Sequence, residues 1–71
     1  MDNQSVARSF PPEEPLLKRI RGEYLEMPGL RLTLPQAQRL FGLDPVACAL
    51  VFETLTRERF LTRGRDGRFA Q

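Results

Sequence analysis

The fold is decided by residues 33–71, TLPQAQRLFGLDPVACALVFETLTRERFLTRGRDGRFAQ. It holds two segments with helical periodicity, separated by a glycine and an aspartate-proline pair. Two short segments with β character follow, on either side of an Asp-Gly pair. This order predicts a helix, a turn, a second helix and then a β-hairpin. The expected fold class is therefore mainly α with a small β-sheet (α+β).

The first helix of this stretch has clear end signals. Thr33 precedes it and Gln36 stands three residues later, which predicts a capping box, with each side chain binding the other residue's backbone N–H. Gly42 is expected to end the helix, because glycine accepts the left-handed conformation that a helix end often needs. Three apolar residues are expected to face inward: Ala37, Leu40 and Phe41.

The second helix begins at a new cap. Asp44 is the expected N-cap, Pro45 fits the first helical position, and the helix is expected to run from Val46 to about Arg59. Because no glycine ends this helix, Arg59 is expected to take a left-handed conformation. Four residues at helical spacing are expected to face the core: Cys48, Val51, Phe52 and Leu55.

The hairpin strands are expected at residues 60–63 and 68–71, with the turn at 64–67. Leu30-Arg31-Leu32-Thr33 alternates apolar and polar residues and predicts a third, short strand beside them. Upstream, residues 13–27 predict another helix, which Pro28-Gly29 ends. Its apolar stripe is Leu16, Leu17, Ile20, Tyr24 and Met27.

Length and composition limit the classes of protein to which this chain can belong. Seventy-one residues make one domain. Residues 1–9 are polar and aperiodic and are expected to form a flexible tail, which leaves 10–71 as the domain. No apolar run suggests a signal peptide or a membrane span, so a cytoplasmic protein is expected. The net charge is +2, but residues 57–68 hold five arginines against one glutamate and one aspartate, a local +3.

The sequence contains few residues that could act in catalysis or bind a metal ion. Cys48 is the single cysteine and the chain has no histidine, so neither a Cys–His pair nor a usual metal-ligand set can be assembled. No glycine-rich phosphate loop follows a strand. We therefore expect no catalytic residue, no metal site and no cofactor, and we expect that the protein is not an enzyme.

The same residues carry a family resemblance. The run from Met27 to Thr33, the segment Gln36 to Leu40, Gly42-Leu43-Asp44, Cys48 and the closing Phe60-Leu61 with Asp66-Gly67-Arg68 resemble a group of short, uncharacterised bacterial proteins. More broadly they resemble the winged helix-turn-helix superfamily, over about residues 13–71. The resemblance implies three helices with a C-terminal β-hairpin wing, and a bacterial DNA-binding protein that serves as a transcriptional regulator or accessory factor.

Double-stranded DNA is the partner that this resemblance implies. In DNA-binding members the last helix lies in the major groove and the wing holds the backbone. Carried onto this sequence, the backbone contacts fall on Arg63, Arg65, Arg68 and Arg39. The helix positions that face DNA are Val46, Ala47, Ala49, Leu50 and Glu53.

An alternative use of the same helix stays open. Residues 46–52 are apolar all the way round, and none of the five helix positions can donate two hydrogen bonds to a base. Such a helix is buried on more than one side. We expect coverage by the N-terminal segment or the first helix, or else by a homodimer or protein partner through Val46, Ala49, Leu50 and Glu53.

Overall fold

The computed structural model describes residues 14–71, and it contains three helices and one two-stranded antiparallel sheet. The elements, in chain order, are α1 (Glu14–Glu26), α2 (Leu34–Phe41), α3 (Pro45–Arg57), β1 (Thr62–Arg63) and β2 (Phe69–Ala70). The mainly α fold with a small sheet is thus confirmed. The predicted tail at 1–9, and residues 10–13, lie outside the described residues.

Side-chain caps define where α2 and α3 begin. The hydroxyl of Thr33 accepts the N–H of Gln36, and the Gln36 side chain accepts the N–H of Thr33, so the predicted capping box is confirmed. The carboxylate of Asp44 accepts the N–H of Ala47 at 2.8 Å. Gly42 ends α2 with φ 65°, as predicted. Each cap satisfies backbone donors that a helix start otherwise leaves without partners.

One apolar core joins all the elements. Aromatic rings run through its centre: Phe52 of α3 makes T-shaped contacts with Tyr24 of α1, at 6.4 Å between ring centroids, and with Phe69 of β2, at 5.2 Å. Such pairs contribute about 0.5–1.5 kcal/mol beyond their area burial. The buried apolar residues are Leu17, Ile20, Tyr24, Leu32, Ala37, Phe41, Cys48, Val51, Phe52, Leu55, Leu61 and Phe69.

The hairpin is shorter than predicted and has a bulged turn. Thr62 pairs with Ala70 and Arg63 with Phe69. The N–H of Gly64 donates to the carbonyl of Arg68 at 2.8 Å and closes a three-residue loop in which Gly67 has φ 82°. A loop of this length with glycine in the left-handed region is a common hairpin connection.

The predicted third strand is reduced to one bridge. Leu32 exchanges two backbone hydrogen bonds with Phe69, at 3.1 and 2.7 Å, but residues 30–33 do not form a strand beyond it. The chain turns at Pro28-Gly29 immediately before and enters α2 immediately after, which leaves no room for a longer ladder. This bridge nevertheless fastens the segment before α2 to the hairpin.

The structure differs from the predictions for Met27, expected on the apolar stripe of the first helix, and for Leu40, expected to face inward. Met27 lies beyond the end of α1 and is 44% exposed, and Leu40 is 54% exposed near the end of α2. Helical periodicity identifies residues that share a face, but each of these lies where no described neighbour packs over that face. The prediction for Arg59 was correct, since its φ is 67° two residues after the end of α3.

Candidate functional site

An open groove of about 430 Å³ separates α3 from the hairpin. Its apolar floor contains Leu34, Ala49 and Phe69. Charged and polar side chains surround this floor: Glu53, Thr56 and Arg57 from α3, and Arg63 from β1. The groove therefore offers an apolar base with guanidinium groups on both walls, which suits a flat or extended anionic ligand.

Arg63 is held in place by an aromatic ring. Its guanidinium carbon lies 5.5 Å from the centroid of the Phe69 ring, directly across the hairpin in the strand register. A cation over an aromatic face at an exposed site gains about 0.5–1 kcal/mol. This contact positions the guanidinium at the groove wall and leaves its N–H donors available to a ligand.

Asp66 neutralises part of the hairpin's positive charge. Its carboxylate lies 3.5 Å from a guanidinium nitrogen of Arg31 and 3.9 Å from one of Arg68. It also accepts the backbone N–H of Arg68 at 3.1 Å. Arg65, next to it in the loop, is exposed and makes no ion pair within residues 14–71. The Asp66 carboxylate thus stabilises the loop but reduces the positive charge of the hairpin.

Three glutamate carboxylates on the helices or at their ends also form ion pairs with arginines. Glu58 lies 3.5 Å from Arg21 of α1, and Arg21 also binds Glu14. Glu53 lies 4.0 Å from Arg57 on the same helix. These pairs are exposed and each contributes at most about 1 kcal/mol. Of the five arginines in residues 57–68, Arg57 and Arg63 line the groove.

The residues predicted on α3 divide between two surfaces. Ala49 and Glu53 line the groove, whereas Val46, which is 58% exposed, and Leu50, which is half-buried, do not. Ala47 is half-buried beside the Asp44 cap. The expected coverage of this face by α1 is wrong for Val46 and Ala49, since both are exposed. A coverage by the N-terminal segment lies outside the described residues.

The predicted DNA contacts Arg39, Arg65 and Arg68 do not line the groove, and neither does the core residue Cys48. Arg39 is exposed in the last turn of α2. Cys48 is buried, with its sulfur 3.7 Å from the carbonyl oxygen of Leu34, as expected of a core residue. Burial, and then the charge of Asp44, raise the pKa of the Cys48 thiol, which disfavours the reactive thiolate.

Sequence reasoning missed five residues at this site. Arg57, Thr56, Leu34 and Phe69 line the groove, and Arg31 reaches Asp66. The sequence could have predicted Arg57 at this site, because it follows Glu53 by four residues and such residues share a helical face. No sequence pattern could have predicted Arg31, because its partner Asp66 is distant along the chain.

No protein-family model, curated protein or solved structure gives a significant match to this chain. No helix within residues 14–71 is long and apolar enough to cross a membrane. The same residues contain no group of three or more His, Cys, Asp or Glu side chains that could hold a metal ion.

Proposed function

We propose that this protein is a small winged helix-turn-helix domain that binds double-stranded DNA. In this assignment α2 and α3 form the helix-turn-helix and the hairpin is the wing. The order α1, α2, α3, hairpin, with the sheet packed on α3 through Phe69, supports it. Its place in a bacterial cell is then that of a transcriptional regulator or accessory factor.

The arginines around the groove carry this proposal. Arg57 and Arg63 line the groove, Arg65 is exposed in the hairpin loop, and Arg68 is exposed directly after that loop. Guanidinium groups bind phosphate oxygens with paired hydrogen bonds, and phosphate contacts supply most sequence-independent affinity for DNA. The hairpin arginines would hold the backbone while α3 lies against the major groove, which is wide enough to admit a helix.

The test is an amide-resolved NMR titration of the labelled protein with a mixed-sequence duplex at low and moderate salt. Salt-sensitive shifts on residues 63–68, followed by α3 and the end of α2 near Arg39, are the expected result. Contact with about three phosphates predicts a log-affinity against log-salt slope of roughly −3. Absence of shifts at low salt would reject DNA binding.

A pair of variants, one at the hairpin and one away from it, makes the titration sharper. The triple variant Arg63, Arg65, Arg68→Ala should lose most of the binding and most of the salt dependence. Lys18→Ala removes one cation from an exposed position on α1, away from the groove, and should lower affinity only slightly. Equal binding by the triple variant and the native protein would remove this mechanism.

A second candidate function, self-association, is favoured by one observation. Val46 and Leu40 are 58% and 54% exposed, and the half-buried Leu50 also lies outside the groove. Arg39 and Asp44, which carry opposite charges, are exposed in the same α2–α3 segment. A surface of this kind can pair with a second copy of itself about a two-fold axis.

Self-association has its own readout. Val46→Asp puts a carboxylate in the first turn of α3, where the helix dipole tolerates it, and removes an exposed apolar side chain. Sedimentation equilibrium over a wide concentration range should show a dimer for the native protein and a folded monomer for this variant. A native protein that stays monomeric at high concentration would reject this function.

A further inference from the structure

Three side chains of α3 form a row along the groove: Ala49, Glu53 and Arg57. Each follows the previous one by four residues, so they share a face and are spaced about 6 Å along the axis. The side chains of Glu53 and Arg57 are 67% and 68% exposed, and Ala49 is exposed. The helix thus presents a methyl group, a carboxylate and a guanidinium in a fixed order.

The carboxylate of Glu53 does not suit a surface that binds only phosphates. It would repel them, so sequence-independent affinity would be higher without it. Its separation of 4.0 Å from Arg57 makes an exposed pair that contributes little to stability and opens readily. The position of Glu53 therefore fits a ligand that donates a hydrogen bond inside a generally cationic site.

We infer that this row reads base edges in the major groove, with a G·C pair as the target of Glu53 and Arg57. The inference rests on the proposed function. A guanidinium donates to O6 and N7 of guanine, and a carboxylate accepts from the N4 amino group of cytosine. Those groups lie side by side on one G·C pair. Two side chains 4.0 Å apart are placed to contact both bases of that pair.

Ala49 lies closer to the start of α3 and would contact a second base pair. Its methyl group suits contact with the C5-methyl group of thymine. Ala49 and Glu53 are four residues apart, a rise of about 6 Å, which corresponds to roughly two base pairs at a spacing of about 3.4 Å. The preferred site therefore carries an A·T pair about two positions from the G·C pair.

An A·T pair at the position of Glu53 and Arg57 is disfavoured on chemical grounds. Adenine offers the guanidinium one acceptor, N7, where guanine offers two. A thymine in place of cytosine presents O4, an acceptor, to the carboxylate of Glu53. Acceptor against acceptor is a repulsive element, and repulsion against the wrong partner contributes to specificity.

The experiment is selection from a random duplex pool at moderate salt, with sequencing of the bound fraction. Binding to the enriched site, and to the same site with G·C changed to A·T, is then measured by fluorescence anisotropy. Native protein should favour the G·C duplex by about tenfold. Glu53→Gln and Arg57→Ala should each lose most of that preference, and Arg65→Ala should weaken both duplexes equally.

Controls and outcomes separate the two proposals. Glu26→Gln removes a carboxylate from an exposed position on α1 and should keep the native preference. The altered side chains are exposed, and circular dichroism will verify that each variant is folded. A bound pool with no base enrichment, or a Glu53→Gln variant with unchanged preference, would overturn base reading alone. If no duplex is bound even at low salt, base reading and the proposed function both fail.

Discussion

The hydroxyl of Tyr24 donates a hydrogen bond of 2.8 Å to the carbonyl oxygen of Phe69. The bond is buried and joins the last turn of α1 to β2. The same carbonyl accepts the N–H of Leu32 at 3.1 Å, so the segment before α2 meets the other two elements at one oxygen atom. Because the hairpin carries Arg63 and Arg65, this contact helps to fix the groove wall relative to the helices.

Replacing Tyr24 by Phe should cost about 1 kcal/mol of stability, the usual net contribution of one hydrogen bond. The cost should not be larger, because the carbonyl of Phe69 keeps its bond from Leu32 and the ring of residue 24 keeps its place against Phe52. Urea denaturation followed by circular dichroism measures the loss. Unchanged stability would mean that the hydroxyl has no bond in the folded protein.

Alkaline pH should destabilise the protein through the same residue. Burial, and then the nearby charge of Cys48, raise the pKa of Tyr24 from 10.0 to about 12. Between these values the unfolded chain ionises its tyrosine while the folded chain keeps the proton, so the unfolded state binds fewer protons. Stability is therefore retained below pH 10 and lost as pH rises towards 12, by up to about 1.4 kcal/mol per unit.

Urea denaturation at several values of pH tests this dependence. Tyr24→Phe should reduce the alkaline loss, and the raised pKa of Cys48 should leave a remaining loss in the same direction. The double variant Tyr24→Phe, Cys48→Ala should show less dependence than either single variant. Parallel curves for the native protein and Tyr24→Phe would contradict the assignment to Tyr24.

Local signals in the sequence predicted the helix ends well. Thr33 and Gln36, or Asp44 and Ala47, interact over three residues, so their geometry is a property of the segment itself. The left-handed φ of Arg59 followed in the same way from the missing terminal glycine. Predictions of this kind need no knowledge of how the elements pack.

Contacts between distant residues could not be predicted in that way. Tyr24 meets Phe69 across 45 residues and Arg31 meets Asp66 across 35, and both contacts depend on how α1 and residues 30–33 pack on the hairpin. The same limit explains Leu40, whose periodicity was correct but which no described element covers. It also explains why the residues predicted on α3 divide between the groove and a separate surface.

Asp66→Asn should increase DNA affinity if the hairpin arginines bind phosphates. The asparagine keeps a side-chain oxygen for the N–H of Arg68 and so preserves the loop, while it removes the negative charge beside Arg31 and Arg68. We expect severalfold tighter binding at low salt and a salt slope steeper by about one. Fluorescence anisotropy with a labelled duplex measures both quantities.

Glu26→Gln is the matched control for that change, because it removes one negative charge from an exposed position on α1. It should give a much smaller gain. Equal gains from both variants would show that net charge alone raises the affinity. No gain from Asp66→Asn would contradict phosphate contacts by Arg68.

Arg59→Gly should stabilise the protein, although it removes a side chain. Arg59 has φ 67°, a conformation that costs a residue with a Cβ about 1 kcal/mol and costs glycine very little. The side chain is exposed, and the backbone N–H keeps its bond to the carbonyl of Thr56. The greater freedom of glycine in the unfolded chain offsets part of the gain, so about 0.5 kcal/mol is expected from urea denaturation. The control is Glu53→Gly, at an exposed position inside α3, which should instead lower stability by about 1 kcal/mol. Similar losses of stability from both variants would contradict a left-handed conformation at Arg59.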